Sequence, residues 1–298
     1  MTLIYSIFAL LNNSLEVLLS SYKKDFTMAG VHPWIPTTFP HLIGHPILLL
    51  IIFAFFSVSL PISLEFYISF IIVILLSLIG FYFLLKGYSK SSFSACTAIS
   101  SINVILVSLG GVFFLGENLD FIQWILIFSG FIGLLIITYP TRCELGKIHF
   151  DSGILLVLIG ITFLSIGSLF YRYSATLVPD FSTFLGGRLV TDFFIHIIVL
   201  LLVLPLITKK SIKLNFIGFL EQKNSKRFLF LTYFRSLASS FLVFVLPAST
   251  LGILGTIAIP LSFILGKIKY KEESIYRIYT GTLIIFISII FFIVRYSY

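Results

Sequence analysis

Arg188, Asp192 and His196 stand at one-turn intervals inside a long apolar run. Successive spacings of four residues put all three on one helix face. An ionisable group in such a run is expensive and is by default a functional candidate. Arg188 and Asp192 can neutralise each other, which lowers the cost of burying either. His196, with an ordinary pKa of about 6.5, could extend a proton path. The bland alternative is an intrahelical pair that helps a marginal segment insert. Glu16 lies in the first apolar run, with Asn12 one turn earlier and Asn13 between them. Its carboxylate could take up a proton or meet a cationic substrate, or simply pair near an interface. Arg235, deep in LFLTYFRSLASSFLVFVL, could pair with Asp192 or Glu16 or bind an anionic group. Asn103, near Ser100 and Ser101, could line a cavity or hydrogen-bond between helices. Asn12, Glu16, Asn103, Arg188, Asp192, His196 and Arg235 are therefore the candidates for substrate or proton binding.

The elements that must hold these groups follow from composition. Of 298 residues 58% are hydrophobic and 11% charged, and Phe alone contributes 34. A soluble domain carries about 25% charged residues, so this chain cannot cover an aqueous surface. Long apolar runs point to an all-α polytopic membrane protein. The runs are 2–21, 39–60, 64–85, 91–115, 120–139, 153–173, 183–207, 228–246, 249–266 and 275–295. Ten transmembrane helices are expected. The run 91–115 opens with SSFSACTAISS and suits a helix packed inside a bundle. The runs 228–246 and 249–266 are separated only around Pro247, so either a tight hairpin or one kinked segment fits. The connection 22–40, with Pro33, Pro36 and Pro40, reads as a loop, as does the basic stretch 208–227. The N-terminus lacks the basic region of a signal peptide and reads as a retained first helix.

Several function classes are excluded or disfavoured. The net charge of +8 comes from basic residues set between apolar runs, where topology signals and lipid headgroup contacts are expected. No nucleic-acid partner is expected. His32, His41, His45, His149 and His196 show no zinc-ligand spacing, and Cys96 and Cys143 make no metal motif. No metal, cofactor or ATP-binding motif is expected. Neither HExxH nor DDxxD appears, which argues against an enzyme. Glu117 and Glu272 precede the last run of their halves, where acids complement a helix dipole. Gly110, Gly111, Gly130 and Gly133 mark close helix contacts, and Gly186 and Gly187 could permit bending.

The two halves share faint features. Tyr22-Lys23 and Tyr171-Arg172 both close a first run, and Glu117 and Glu272 occupy similar places. An odd number of helices per half would give opposite orientations, as in transporters built from inverted repeats. The stretch 86–138 resembles the end of an EamA-like domain of the drug/metabolite transporter superfamily. The matching positions are Leu115, Gly116, Glu117, Gln123, Trp124, Gly130 and Gly133. Pro260, Leu265, Gly266, Glu272 and Gly281 match more loosely in the second half, where LGKIKYKE replaces the compact Leu-Gly-Glu.

The resemblance implies two five-helix repeats, 1–140 and 150–298. It also implies a secondary transporter of a small metabolite or drug-like solute. Alternating access with proton coupling or exchange is the expected mechanism, in the plasma (inner) membrane as monomer or homodimer. The cavity is expected between the halves, lined by the first, fourth, seventh and eighth segments. A scaffold or assembly protein without transport is the alternative. Orientation stays open. Sixteen of the 20 Lys and Arg residues lie in or beside odd-to-even loops, which places the termini outside. The resemblance places them inside.

Overall fold

A computed structural model describes residues 2–55, 59–100, 102–138, 152–208, 212–271 and 276–296. Among these residues every regular element is helical. The first half holds α1 (Thr2–Met28), α2 (Ile35–Phe55), α3 (Leu64–Tyr88), α4 (Phe93–Ser100), α5 (Ile102–Leu115) and α6 (Phe121–Thr138). The second holds α7 (Ser152–Thr176), α8 (Phe181–Ile198), α9 (Leu204–Thr208), α10 (Ile212–Leu220) and α11 (Ser225–Val245). It continues with α12 (Ala248–Gly255), α13 (Ala258–Tyr270) and α14 (Tyr276–Tyr296). Seven helical stretches are long and apolar enough to cross a membrane, and three shorter apolar helices accompany them. Cys143, His149, Glu272 and residues 139–151, which hold nearly all of the connection 140–152 expected between the two halves, lie outside the described residues.

Local chemistry explains most of the interruptions. Pro205 has no N–H for the carbonyl one turn earlier, and a π turn, Val199–Val203, joins α8 to α9 just before it. Between α11 and α12, Leu246 is extended (φ −104°, ψ 144°) and Pro247 precedes the new helix. The chain therefore turns there rather than continuing as one kinked helix. In the run 91–115, α4 and α5 stand on either side of Ser101, which lies outside the described residues. Two expected loops are largely helical. α1 continues to Met28 because YKKDFT is helix-compatible, and α2 starts at Ile35 with Pro36 in its first turn, where proline is tolerated. The basic stretch after 208 contains α10, whose sequence IKLNFIGFL is amphiphilic rather than loop-like.

Packing is pairwise. α3 lies along α7, α1 along α11, α2 along α8, α5 against α12, α4 against α13, and α6 along α14. The α3–α7 seam needs glycine. A Cβ on Gly160 would stand 2.7 Å from the Gly80 carbonyl oxygen, and one on Gly87 would stand 2.7 Å from that of Gly153. Backbones this close exclude side chains and gain dispersion contact instead. The gate-bending expectation for Gly187 gives way to packing, since its Cβ would strike Pro61 and Phe66. Large apolar side chains such as Phe113, Phe114, Leu206 and Phe230 remain exposed on the outside, as lipid-facing residues should.

Candidate functional site

Two connected chambers lie between the paired helices. The first has a volume of about 350 Å³ and the second about 170 Å³. Ser77, Phe81, Tyr171, Arg235 and Ser239 line both. Among the described residues, α6 and α14 contribute nothing to either wall. α1, α4–α5, α8 and α11 do, together with α2, α3, α7 and α12–α13.

The structure brings the seven sequence candidates to these chambers. Asn12, Glu16 and Asn103 line the first, Arg188, Asp192 and His196 the second, and Arg235 both. Glu16 is the hub of one cluster. Its Oε2 lies 2.8 Å from Arg235 Nε and its Oε1 3.6 Å from Lys23 Nζ, while Ser20 Oγ donates to Oε1 at 3.2 Å. Neither Arg235 Nε nor Glu16 Oε2 has a well-directed hydrogen bond, so their contact is an ion pair without good alignment. Arg235 thus chooses Glu16 rather than Asp192. Asn12 Oδ1 is buried without a partner, whereas Asn103 Oδ1 accepts from Ser165 Oγ at 2.6 Å.

Asp192 is the hub of the second cluster. Its Oδ2 is 3.5 Å from Arg188 Nε and 3.7 Å from Nδ1 of both His41 and His45. Arg188 is pinned to α11, donating from Nη1 to the Ser236 carbonyl at 2.7 Å and from Nη2 to Ser236 Oγ at 2.5 Å. His196 Nδ1 donates to the Asp192 carbonyl at 2.7 Å, and its ring stacks on His41 with centroids 4.4 Å apart. His41 Nδ1 and His45 Nε2 share a hydrogen bond of 3.1 Å. Ligand-type atoms of His41, Asp192 and His196 fall within 4.8 Å of one another, a spacing that no reading of single-helix motifs anticipated. Arg188 already neutralises Asp192, so a divalent cation there would add charge without a counter-anion.

Sequence reasoning passed over Lys23, His41 and His45. The i,i+4 spacing of His41 and His45 was the available signal. Lys23 reads as an interfacial lysine until α1 is seen to continue past it.

One further carboxylate joins the halves. Glu117 does not serve the helix that follows it, because Asp120 caps α6, accepting from Gln123 N at 2.7 Å while Gln123 Oε1 accepts from Asp120 N. Gly116, at φ +66°, ends α5 and turns the chain back. Glu117 then accepts from Ala248 N (2.7 Å), Ser249 N (3.0 Å) and Ser249 Oγ (2.8 Å) at the start of α12. A carboxylate satisfies orphan N–H groups there and complements the helix dipole.

Residues 18–139 match the model of the EamA-like transporter family. This first-half segment is similar to that family. The match includes Leu115, Gly116 and Glu117, so the EamA-like Leu-Gly-Glu element has a mechanical reading here: a helix stop, a left-handed turn and a cap for a helix of the other half. Solved structures show the same fold across nearly the whole chain. One, named "Crystal structure of protein", aligns with a TM-score of 0.62 at 15% identity, covering 97% of this chain and 94% of its own. No curated protein matches. The EamA-like match and the apolar helices support an integral, multi-pass membrane protein.

Proposed function

We propose that the protein is a secondary transporter that moves a small organic solute by alternating access between two inverted five-helix repeats, 1–140 and 150–298. Ten spans are counted by taking α4–α5, α8–α9 and α12–α13 as one crossing each and leaving out the nine-residue α10. The packing supports this reading. Exchanging the halves turns the α3–α7 pair into α11–α1 and the α5–α12 pair into α13–α4, and turns α2–α8 and α6–α14 into themselves. The segments α4–α5 and α12–α13 occupy counterpart places in the two halves and both face the first chamber. Inverted repeats place substrate sites at such an interface.

The observation that carries the proposal is the polar space between the halves, which a solid scaffold bundle would lack. Its volume of about 350 Å³ suits a metabolite-sized ligand. Coupling to protons is assigned to Asp192. His41 and His45 face it from α2, Arg188 and His196 from α8, with Tyr171 of α7 beyond Arg188. The plasma (inner) membrane is the expected location. Purified protein in liposomes should take up a ligand found by thermal-shift screening, faster with an inward proton gradient. Asp192→Asn should remove the gradient effect while exchange persists. Uptake unaltered by pH and by both Glu16→Gln and Asp192→Asn would exclude proton coupling through these groups.

A further inference from the structure

The charges around the chambers do not balance. Lys23, Arg172, Arg188 and Arg235 line them, against only Glu16 and Asp192 among the described residues. Two of the cations are accounted for. Arg188 pairs with Asp192, and Arg172 Nη1 donates to the Val243 and Phe244 carbonyls at the end of α11, where carbonyl dipoles favour a cation. Lys23 and Arg235 are left to share Glu16. One carboxylate cannot neutralise both, and burying an uncompensated cation away from water is costly.

The geometry around Glu16 repeats this imbalance. Lys23 is 5% exposed, and beyond Glu16 its ammonium meets the face of the Phe81 ring at 4.2 Å from the centroid. Arg235 engages Glu16 through Nε alone, and 27% of its side chain remains open. A guanidinium is built to offer two parallel N–H groups to an oxyanion. Asn12, buried with an unpartnered amide oxygen, lies one turn from Glu16 in the same wall, where its amide can also present N–H groups. The rest of the first chamber sets apolar side chains, Val17, Leu84, Val107, Ile161 and Leu242 among them, beside the hydroxyls of Ser77, Ser100 and Ser168.

Resting on the transporter reading above, we propose that the substrate is an organic oxyanion, a carboxylate or phosphate on an apolar body, whose head docks between Lys23 and Arg235. It supplies the second negative charge that Glu16 alone cannot, and the apolar walls receive its body. Glu16 then acts as the resident counter-ion that holds the two cations in place in the empty cycle and competes with the substrate head.

The test uses the full-length protein in detergent and in nanodiscs, with matched probes that differ only in the head: benzoate, phenyl phosphate, benzamide and benzylamine. Thermal stabilisation and calorimetric affinity should favour the two anions over amide and amine by at least tenfold. Inorganic phosphate alone should bind more weakly than phenyl phosphate. If an anionic lipid head were the true occupant, phosphatidylglycerol in the nanodisc would abolish probe binding, which would overturn the assignment to a soluble solute. Lys23→Gln and Arg235→Gln should each lower anion affinity about tenfold or more, whereas Lys86→Gln, an exposed lysine on Tyr82, should not. Because Arg235→Gln could fail to fold, Glu16→Gln gives an independent reading: removal of the competitor should tighten anion binding about tenfold. Preference for the amine, indifference to Lys23→Gln, or weaker anion binding in Glu16→Gln would each overturn the proposal. Failure of the transporter reading looks different: anions would bind as expected but never cross the bilayer.

Discussion

Replacing Glu117 by Ala tests whether one carboxylate fastens the two halves together. Three hydrogen bonds end on it, from Ala248 N, Ser249 N and Ser249 Oγ. A hydrogen bond to a charged group contributes about 1.5–3 kcal/mol, and loss of a helix cap costs about 0.5–2 kcal/mol. The three contacts share one acceptor and water can reach some of the freed donors, so they do not add in full. A net loss of about 2–4 kcal/mol is expected. At roughly 2–3 °C per kcal/mol, thermal unfolding in detergent should shift down by about 5–10 °C. Ser249→Ala removes a single contact and should cost about 1 kcal/mol. Gly111→Ala should mimic part of the larger effect, because its new Cβ would stand 2.7 Å from Glu117 Oε2. A Glu117→Ala protein that melts within 1 °C of the native one, or a Ser249→Ala protein that loses as much as Glu117→Ala, would refute the reasoning.

Other expectations follow from the same structure. Gly160→Ala forces a methyl group against the Gly80 carbonyl oxygen and Leu84 N, each 2.7 Å away, and should cost about 1–3 kcal/mol in unfolding. Gly218→Ala, in α10 with nothing within 4 Å, should be neutral or stabilise by up to about 1 kcal/mol in the same assay. Asp120→Ala should remove the cap of α6 and lower stability by about 1 kcal/mol, with Asp120→Asn largely restoring it. Burial, and then the nearby Lys86 charge, lower the pKa of His32 below its ordinary 6.5. The unfolded chain then binds a proton before the folded one does, so this contribution is present above about 6.5 and is lost as pH falls through the folded value. Melting curves from pH 7.5 to 5 should show a smaller acid-side loss in His32→Gln. An unchanged pH profile would remove His32 from the account.

Much of the fold was legible because lipid leaves few options for the backbone. Each expected apolar run corresponds to one helix or to a pair of consecutive helices. Helix ends were misjudged where polar residues at an interface remain helix-compatible, as in 22–28 and in α10. Candidate polar residues were legible singly, since a charge in an apolar run stands out. Their partners were not. The meeting of His41 and His45 with Asp192, and of Glu117 with Ser249, joins segments far apart in the chain, and only tertiary packing brings them within reach. Lys23 was obscured by its position beside what looked like a loop.

The claim at the centre is that the chambers between the halves open to each side of the membrane in turn. Ser239 lines both chambers and is a suitable reporter. A Ser239→Cys protein with Cys96→Ser and Cys143→Ser, reconstituted in liposomes in one orientation, can be exposed to a membrane-impermeant thiol reagent outside or trapped inside. Alternating access predicts labelling from both sides, with ligand or a proton gradient shifting the ratio. Labelling from one side alone under every condition, or from neither, would contradict it.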